Sequence, residues 1–341
     1  MGIFIRLLKR IGSLEYGVIV LLSLVIVLFG TISIYLIEPE NFPSIFDSFW
    51  WTMTTLTTVG YGDFFPTTIA GRWIGIFLFL FGIGIIGVFI TKTVDSLTTY
   101  TRLKSEGKLV YKQKEHYIYI GWSKKVEKAI REVLQHNPKA KVVLINQLSQ
   151  TPIVHDQIHF IQGDPSQHDT LVKANILEAK RVAIFSDSNI DDPALADGKT
   201  LLTASAVESL SEQYQRNIHT VVEIREEQNI TKFKHINVDD FILSDDSVSL
   251  LMAKATLQPG TTHIFRQLLS KSFGSNIHEI SPKPHWKTYK EASSELYEKG
   301  AILMAVNQDM DVATHHTKEL KQTDILYIVC NDETFHELSN H

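Results

Sequence analysis

The sequence predicts a helical membrane domain, made of two spans with a re-entrant helix between them, followed by an α/β lobe and a small α+β lobe. Three observations carry that expectation. Two uncharged runs near the start are long enough to cross a bilayer, a short polar and aromatic segment separates them, and strands alternate with helices thereafter.

Tyr16 to Ile37 is 22 residues without a charge, and Trp73 to Ile90 is another 18. At about 1.5 Å per residue both can cross a hydrocarbon core of roughly 30 Å. The first run is too long for a signal-peptide core, and Glu38-Pro39-Glu40 follows it where a small-residue cleavage site would stand, so it is expected to be retained. Residues 1–15 interleave basic and apolar side chains as a short amphipathic lead-in. Arg6, Lys9 and Arg10 precede the first span, and Lys92, Arg102 and Lys104 follow the second. The intervening stretch from Glu38 to Trp51 carries Glu38, Glu40 and Asp47 and no Lys or Arg, which predicts a multi-pass cell-membrane protein with both termini cytoplasmic. Phe42 to Leu56 is too short and too polar to span, and its Asp47-to-Leu56 stretch has the composition of a re-entrant helix.

From Thr91 to Lys114 the chain is polar and helix-compatible, a linker of about twenty residues. The period then changes. Short strands are expected at 117–121, 141–146, 159–164, 181–185, 220–223 and 240–243, with helices at 126–134, 169–174 and 198–214, which is the pattern of a doubly wound parallel sheet. From about Thr261 a helix and strands at 277–280, 301–306 and 325–330 predict a separate α+β unit. The resulting boundaries are 1–94, 95–114, 115–258 and 259–341. Residues beyond Lys108 carry a net charge of −6 (25 basic against 31 acidic), which gives no footprint for nucleic acid. The single cysteine, Cys330, excludes an intrachain disulfide and a CxxC metal site, and is expected in a late buried strand.

The chemistry-bearing motif is Thr57-Thr58-Val59-Gly60-Tyr61-Gly62-Asp63, between the two spans. A dehydrated potassium ion needs oxygens in place of its water. Successive backbone carbonyls of Thr58, Val59, Gly60 and Tyr61 can supply them if glycines at 60 and 62 allow the required backbone angles. Thr58 can add a hydroxyl, and Val59 and Tyr61 can turn outward. Thr-Val-Gly-Tyr-Gly is the known potassium-filter sequence, so this is a match to a described case. One strand cannot surround an ion, and four subunits are implied.

With these residues the sequence resembles the two-transmembrane prokaryotic potassium channels that carry a cytosolic RCK (regulator of potassium conductance) domain, over nearly the whole chain. The resemblance implies a Rossmann-like N-terminal RCK lobe and a small C-terminal one, an aromatic cuff from Trp50 and Trp51, and a gating hinge at Gly82. Gly82, Gly84 and Gly87 equally suit close helix packing. Gly87 and Thr91 lie one turn apart towards the cytoplasmic mouth. The family also implies a homotetrameric pore, to which extra soluble RCK subunits from an internal start can add an octameric ring. No methionine lies between Met53 and Met252, so such a start would need another codon, for instance at Val110.

The family's effectors are calcium or an adenine nucleotide. A dinucleotide turn wants G-x-G-x-x-G and an acid ending the second strand, whereas this chain has Gly121-Trp122-Ser123-Lys124-Lys125-Val126 and Asn146. Only the first glycine remains, which leaves Lys124 and Lys125 to attract phosphate and argues against a nicotinamide enzyme. For calcium, Ser186 and Asp187 follow the fourth strand where relatives carry an acidic ligand, and Glu223 keeps one of two expected acids while Arg225 replaces the other. Glu223 is expected to pair with an arginine. The loop Asp187-Ser188-Asn189-Ile190-Asp191-Asp192 is acid-rich, and Asp164, in Gly163-Asp164-Pro165-Ser166, is expected to cap the following helix. His278, His285, His315 and His316 lack metal-ligand spacing. The expectation is a potassium-selective channel subunit gated by ligand binding to an RCK ring, and not an enzyme. The alternative is a nucleotide- or cation-sensing regulatory subunit of a potassium transport system, in which filters come as several non-identical loops of one long chain.

Overall fold

The computed structural model describes residues 15–339. The basic lead-in with Arg6, Lys9 and Arg10 lies outside them. The chain divides into two compact units, Met1–Leu103 and Lys104–His341.

In the first unit α1 spans Tyr16–Ile37, the same limits as the uncharged run, and α2 spans Ile45–Leu56. Ser44 caps α2: its Oγ accepts from the Asp47 amide at 3.1 Å and donates to the Asp47 carboxylate at 2.7 Å. The second span is longer than its uncharged run, because the helix continues through polar residues. It comprises α3 (Ile69–Phe77), a five-residue π-turn (Leu78–Gly82) and α4 (Ile83–Ser105). Ile34, Phe42, Trp51, Leu56, Ile74 and Leu78 form the unit's small core. Most other apolar side chains of both spans face outward, as lipid-facing and subunit-facing surfaces require.

In the second unit six parallel strands form one sheet: β1 (His116–Ile120), β2 (Val142–Asn146), β3 (Ile158–Gln162), β4 (Ala179–Ile184), β5 (Thr220–Ile224) and β6 (Asp240–Leu243). Their spatial order is β3-β2-β1-β4-β5-β6. Connecting helices are α5 (Lys124–His136) after β1, α6 (His168–Lys173) after β3 and α7 (Pro193–Tyr214) after β4. Strand alternation builds two cores on opposite faces. Ile118, Ile120, Val143 and Ile145 join Leu171, Val207 and Leu210 on one, while Tyr119, Val142 and Leu144 join Val126 and Ile130 on the other.

Beyond β6 come α8 (Ser244–Leu257) and α9 (Thr261–Leu269), neither burying a residue. A three-stranded antiparallel sheet follows, β7 (Asn276–Ile280), β8 (Ile302–Val306) and β9 (Leu326–Cys330), with α10 (Tyr289–Glu298) and α11 (Asp332–Ser339). Cys330 is buried in the last strand, where burial pushes its thiol up. Helices α8, α10 and α11 were not expected from the sequence, because their short apolar faces interrupt no strand pattern strongly enough to announce them.

Candidate functional site

Between α2 and α3 the loop holds φ of +61° at Thr58, +52° at Gly60 and +77° at Gly62, while Val59 and Tyr61 keep negative φ. Such alternation along consecutive residues can align carbonyls on one side and amides on the other. The glycines take the left-handed region without strain, whereas Thr58 takes it with a Cβ, which the sequence did not announce. A Cβ on Gly60 or Gly62 would meet nothing within 4 Å in this chain, so the requirement there is conformational, not steric. The base of the loop is tied to α2: the Thr54 carbonyl accepts from the amides of Val59 (2.9 Å) and Gly60 (3.2 Å), and the Thr55 carbonyl accepts from Thr58 (3.1 Å).

The far end of the loop is held by an aromatic. Trp50 stacks on Tyr61 with centroids 5.6 Å apart and planes 3° from parallel, and its Nε1 donates to Asp63 Oδ2 at 2.8 Å. Trp51 is buried and meets Phe42 edge-on. Further along the second span, Gly82 ends the π-turn, and a Cβ there would overlap the Leu56 side chain. Gly84 and Gly87 have open space, and Thr91 Oγ1 donates to the Gly87 carbonyl at 2.9 Å.

One residue read from the sequence only as a negative charge after the first span does more. Glu38, buried at the end of α1, accepts from the amide and hydroxyl of Thr68 (2.9 and 2.6 Å), the amide of Thr67 (3.0 Å) and Asn41 Nδ2 (2.9 Å). Thr68 is itself the N-cap of α3, so one carboxylate joins the end of the first span to the start of the second. Burial works upward on its pKa, but the bonds from Thr68, Asn41 and Thr67 outweigh it and hold the group at about 2. Gly71 leaves the room this carboxylate occupies. A Glu–Thr-Thr spacing of thirty residues carries no local signature.

In the α/β lobe a cavity of about 610 Å³ opens at the carboxyl ends of β1, β2 and β4, where the strand order reverses. It brings together Gly121, Ser123, Lys124, Asn146 and Asp187 of the sequence-derived set, with Trp122, Leu148 and Phe185 as apolar wall. Gly121 sits at φ +103°, close under Phe185, so the tight turn is present. Ser123 Oγ accepts from the Val126 amide at 3.4 Å and caps α5. Lys199 donates to Asp187 at 2.7 Å; burial raises the Asp187 pKa, and the bonds from Lys199 and Asn189 outweigh it, leaving the carboxyl below its usual range.

Ser186 and Glu223 line a second, smaller cavity of about 180 Å³, which shares Asp187 and holds Lys125, Arg225 and Asp245. Here the structure departs from expectation. Glu223 pairs with Lys125, and its other oxygen accepts from the Ser186 amide at 3.2 Å. Arg225 instead donates to the Ile190 carbonyl at 2.8 Å and lies 3.5 Å from Asp245. Lys125, in the first turn of α5, reaches the end of β5, 98 residues from its partner in the chain, which no local spacing announces. Asp164 lines neither cavity. It closes a turn on Ser166 (2.9 Å to the amide, 2.7 Å to the hydroxyl), and the N-cap of α6 is Gln167, without a side-chain bond. Among the described residues no cluster of three or more His, Cys, Asp or Glu has metal-binding geometry.

A membrane unit with such a loop, continued by a doubly wound lobe with a ligand-sized cavity, defines the class of ligand-gated ion channels. Residues 21–99 match the ion channel family, and residues 112–236 match the RCK domain of calcium-activated, slowpoke-like potassium channels. The chain is 33% identical over 251 residues to the putative potassium channel protein YugO of Bacillus subtilis, covering 73% of this chain and 74% of that one. It is 26% identical over 312 residues to the calcium-gated potassium channel TvoK of Thermoplasma volcanium, covering 89% and 88%. Among solved structures, the human SLO3 gating ring has the same lobe fold at a TM-score of 0.51 and 12% identity, over 66% of this chain and 46% of that one. The chain belongs to the potassium channels that carry an RCK ligand-gating domain; it is a membrane protein and its transported ion is potassium.

Proposed function

We propose that four copies of the chain form one potassium pore with cytoplasmic termini, and that an adenine nucleotide in the larger lobe cavity controls its opening. The cavity at the strand-order reversal carries the nucleotide reading. Its Trp122, Leu148 and Phe185 wall suits a base, and Lys124 and Lys199 supply cations for phosphate. The missing second and third glycines at Ser123 and Val126 favour a mononucleotide over a dinucleotide, because the backbone cannot approach a pyrophosphate as closely.

In the pore, carbonyls of Thr58, Val59, Gly60 and Tyr61 from four copies replace the ion's water, and Asp63 and Trp50 brace the outer mouth. Gly82, Gly87 and Thr91 belong to the inner gate, with the π-turn as the place where the helix changes course. Residues 1–94 are the pore-forming part, and 115–258 and 259–341 the two RCK lobes. The exposed apolar faces of α8 and α9, including Val248, Leu250, Ile264 and Phe265, suit pairing between lobes of neighbouring copies. A ring of eight lobes would add four separately made RCK subunits.

Calcium is the weaker reading for this chain. TvoK is named as calcium-gated, but here the ammonium of Lys125 already sits on Glu223 and Arg225 lines the same space. Three of its four carboxylates, Glu223, Asp187 and Asp245, already face a cation, which leaves few free oxygens for calcium.

Titrating the full-length protein with AMP, ADP, ATP, NADH and calcium chloride while following thermal unfolding tests this. An adenine mononucleotide is expected to raise stability by about 2.7 kcal/mol at a hundred times its Kd. Stabilisation by calcium alone, with nucleotides inert, would overturn it.

A further inference from the structure

The segment between the inner pore helix and the first strand is not a free tether. From Ser105 to Glu115 every second residue bonds to the α/β lobe. The carbonyl of Ser105 accepts from the Thr151 amide (2.7 Å), that of Gly107 from Gln162 (3.0 Å), that of Leu109 from His159 Nε2 (2.9 Å) and that of Gln113 from Asn175 Nδ2 (2.9 Å). The amides of Tyr111 and Glu115 donate to the carbonyls of Lys173 and Glu178, each at 2.9 Å. At Gly107 φ is +65°, and a Cβ would overlap the Gln162 amide, so the chain passes there only as glycine.

Two histidines hold the middle of this strap. Tyr111, 9% exposed, packs between their rings, with centroids 4.6 Å from His116 and 5.2 Å from His159. His116, fully buried, spends its Nε2 proton on the Ala174 carbonyl at 3.0 Å, and His159 spends its own on Leu109. The second ring nitrogen of His116 is buried and meets no acceptor among the described residues. A proton arriving there would be a buried, unpaired donor on a new cation.

We propose that residues 105–115 form a proton-sensitive latch, clamped to the lobe while His116 and His159 are neutral and released when they are protonated. The charged groups that face them are few. Glu115 favours a proton on His116, while Lys141 and His159 oppose one; Lys104 opposes one on His159. Burial dominates for both and lowers their pKa. The nearby Lys114–Glu178 pair, at 3.3 Å, is internally neutral. For a histidine whose folded pKa is depressed, the clamp's stability is complete above the free value near 6.5 and is lost as pH falls below it. Since the strap continues directly from α4, its release would disconnect whatever the lobe senses from the inner helix.

Amide hydrogen exchange on the full-length channel in nanodiscs tests this without knowledge of the gating ligand. Protection at Gln162, Tyr111 and Glu115, corrected for intrinsic rates, is expected to fall between pH 7.5 and 5.5, with about tenfold per histidine as the ceiling set by the free imidazole. Central amides of β1 and β4 should not change. His159→Gln and His116→Gln each keep an N–H donor without a titratable ring, so the double variant should lose the response, and exposed His235→Gln should keep it. Equal protection of the wild-type strap at both pH values overturns the proposal without any variant, as does an undiminished response in His159→Gln alone.

Discussion

The two units place their chemistry in opposite ways. On the proposed reading the working atoms of the pore unit are backbone carbonyls of consecutive residues, while Trp50 braces the Thr57–Asp63 loop and Glu38 ties the ends of the two spans. On the same reading the lobe works through side chains drawn from strand ends far apart in the chain, and the backbone serves as scaffold. A contiguous backbone site tolerates side-chain variety but not a change of φ, whereas a gathered site tolerates backbone drift but not the loss of a partner.

Breaking a φ requirement should therefore have the largest effect. Gly60→Ala costs roughly 1–2 kcal/mol of left-handed strain per copy, repeated in each subunit that meets at one filter. Potassium flux into liposomes is expected to collapse while assembly survives; unchanged flux would separate the filter from this loop. Ending the chain after Ser105 comes next. A pore that still prefers potassium over sodium but no longer responds to nucleotide is expected, and a retained response would place the sensor in the membrane unit.

Glu38→Ala strands the Thr67 and Thr68 amides and is expected to lower stability by about 3 kcal/mol, seen as a lower unfolding temperature of the assembled channel. Because the Glu38 carboxyl is held at about 2 against an ordinary 4.5, its contribution is complete above pH 4.5 and fades as pH falls towards 2. Stability from this group should thus be flat from pH 8 to 5. Gly82→Ala forces its methyl into Leu56 and should cost about 2 kcal/mol and shift the open fraction, whereas Gly84→Ala, with open space, should do neither. The smallest effect is expected of Lys125→Met, about 1 kcal/mol of lobe stability, since Glu223 keeps the Ser186 amide. It also sharpens the calcium question, because the variant removes one of the two cations from the smaller cavity.

Legibility followed sequence distance. The α1 limits, the glycine-dependent backbone of the Thr57–Asp63 loop and the six parallel strands could be read from uncharged runs, one motif and period-two alternation, because each signal lies within a few residues. The lobe turn at Gly121 was readable, but the Lys125–Glu223 pair was assigned to the wrong kind of partner, since its members meet only when the sheet brings the start of α5 and the end of β5 together. The strap from Ser105 to Glu115 was taken for a helix-compatible linker. It has no apolar period of its own, and its six bonds are answered by six residues in three other stretches of chain, at 151, 159–162 and 173–178.

By itself the sequence determined which ion passes and that a doubly wound lobe follows the pore, because backbone torsion and side-chain periodicity are local properties. Only the tertiary structure decided that Glu38 joins the two spans, that Lys125 occupies Glu223, and that a buried and a half-buried histidine grip the strap. Those depend on burial and on which long-range neighbour arrives, and local spacing encodes neither.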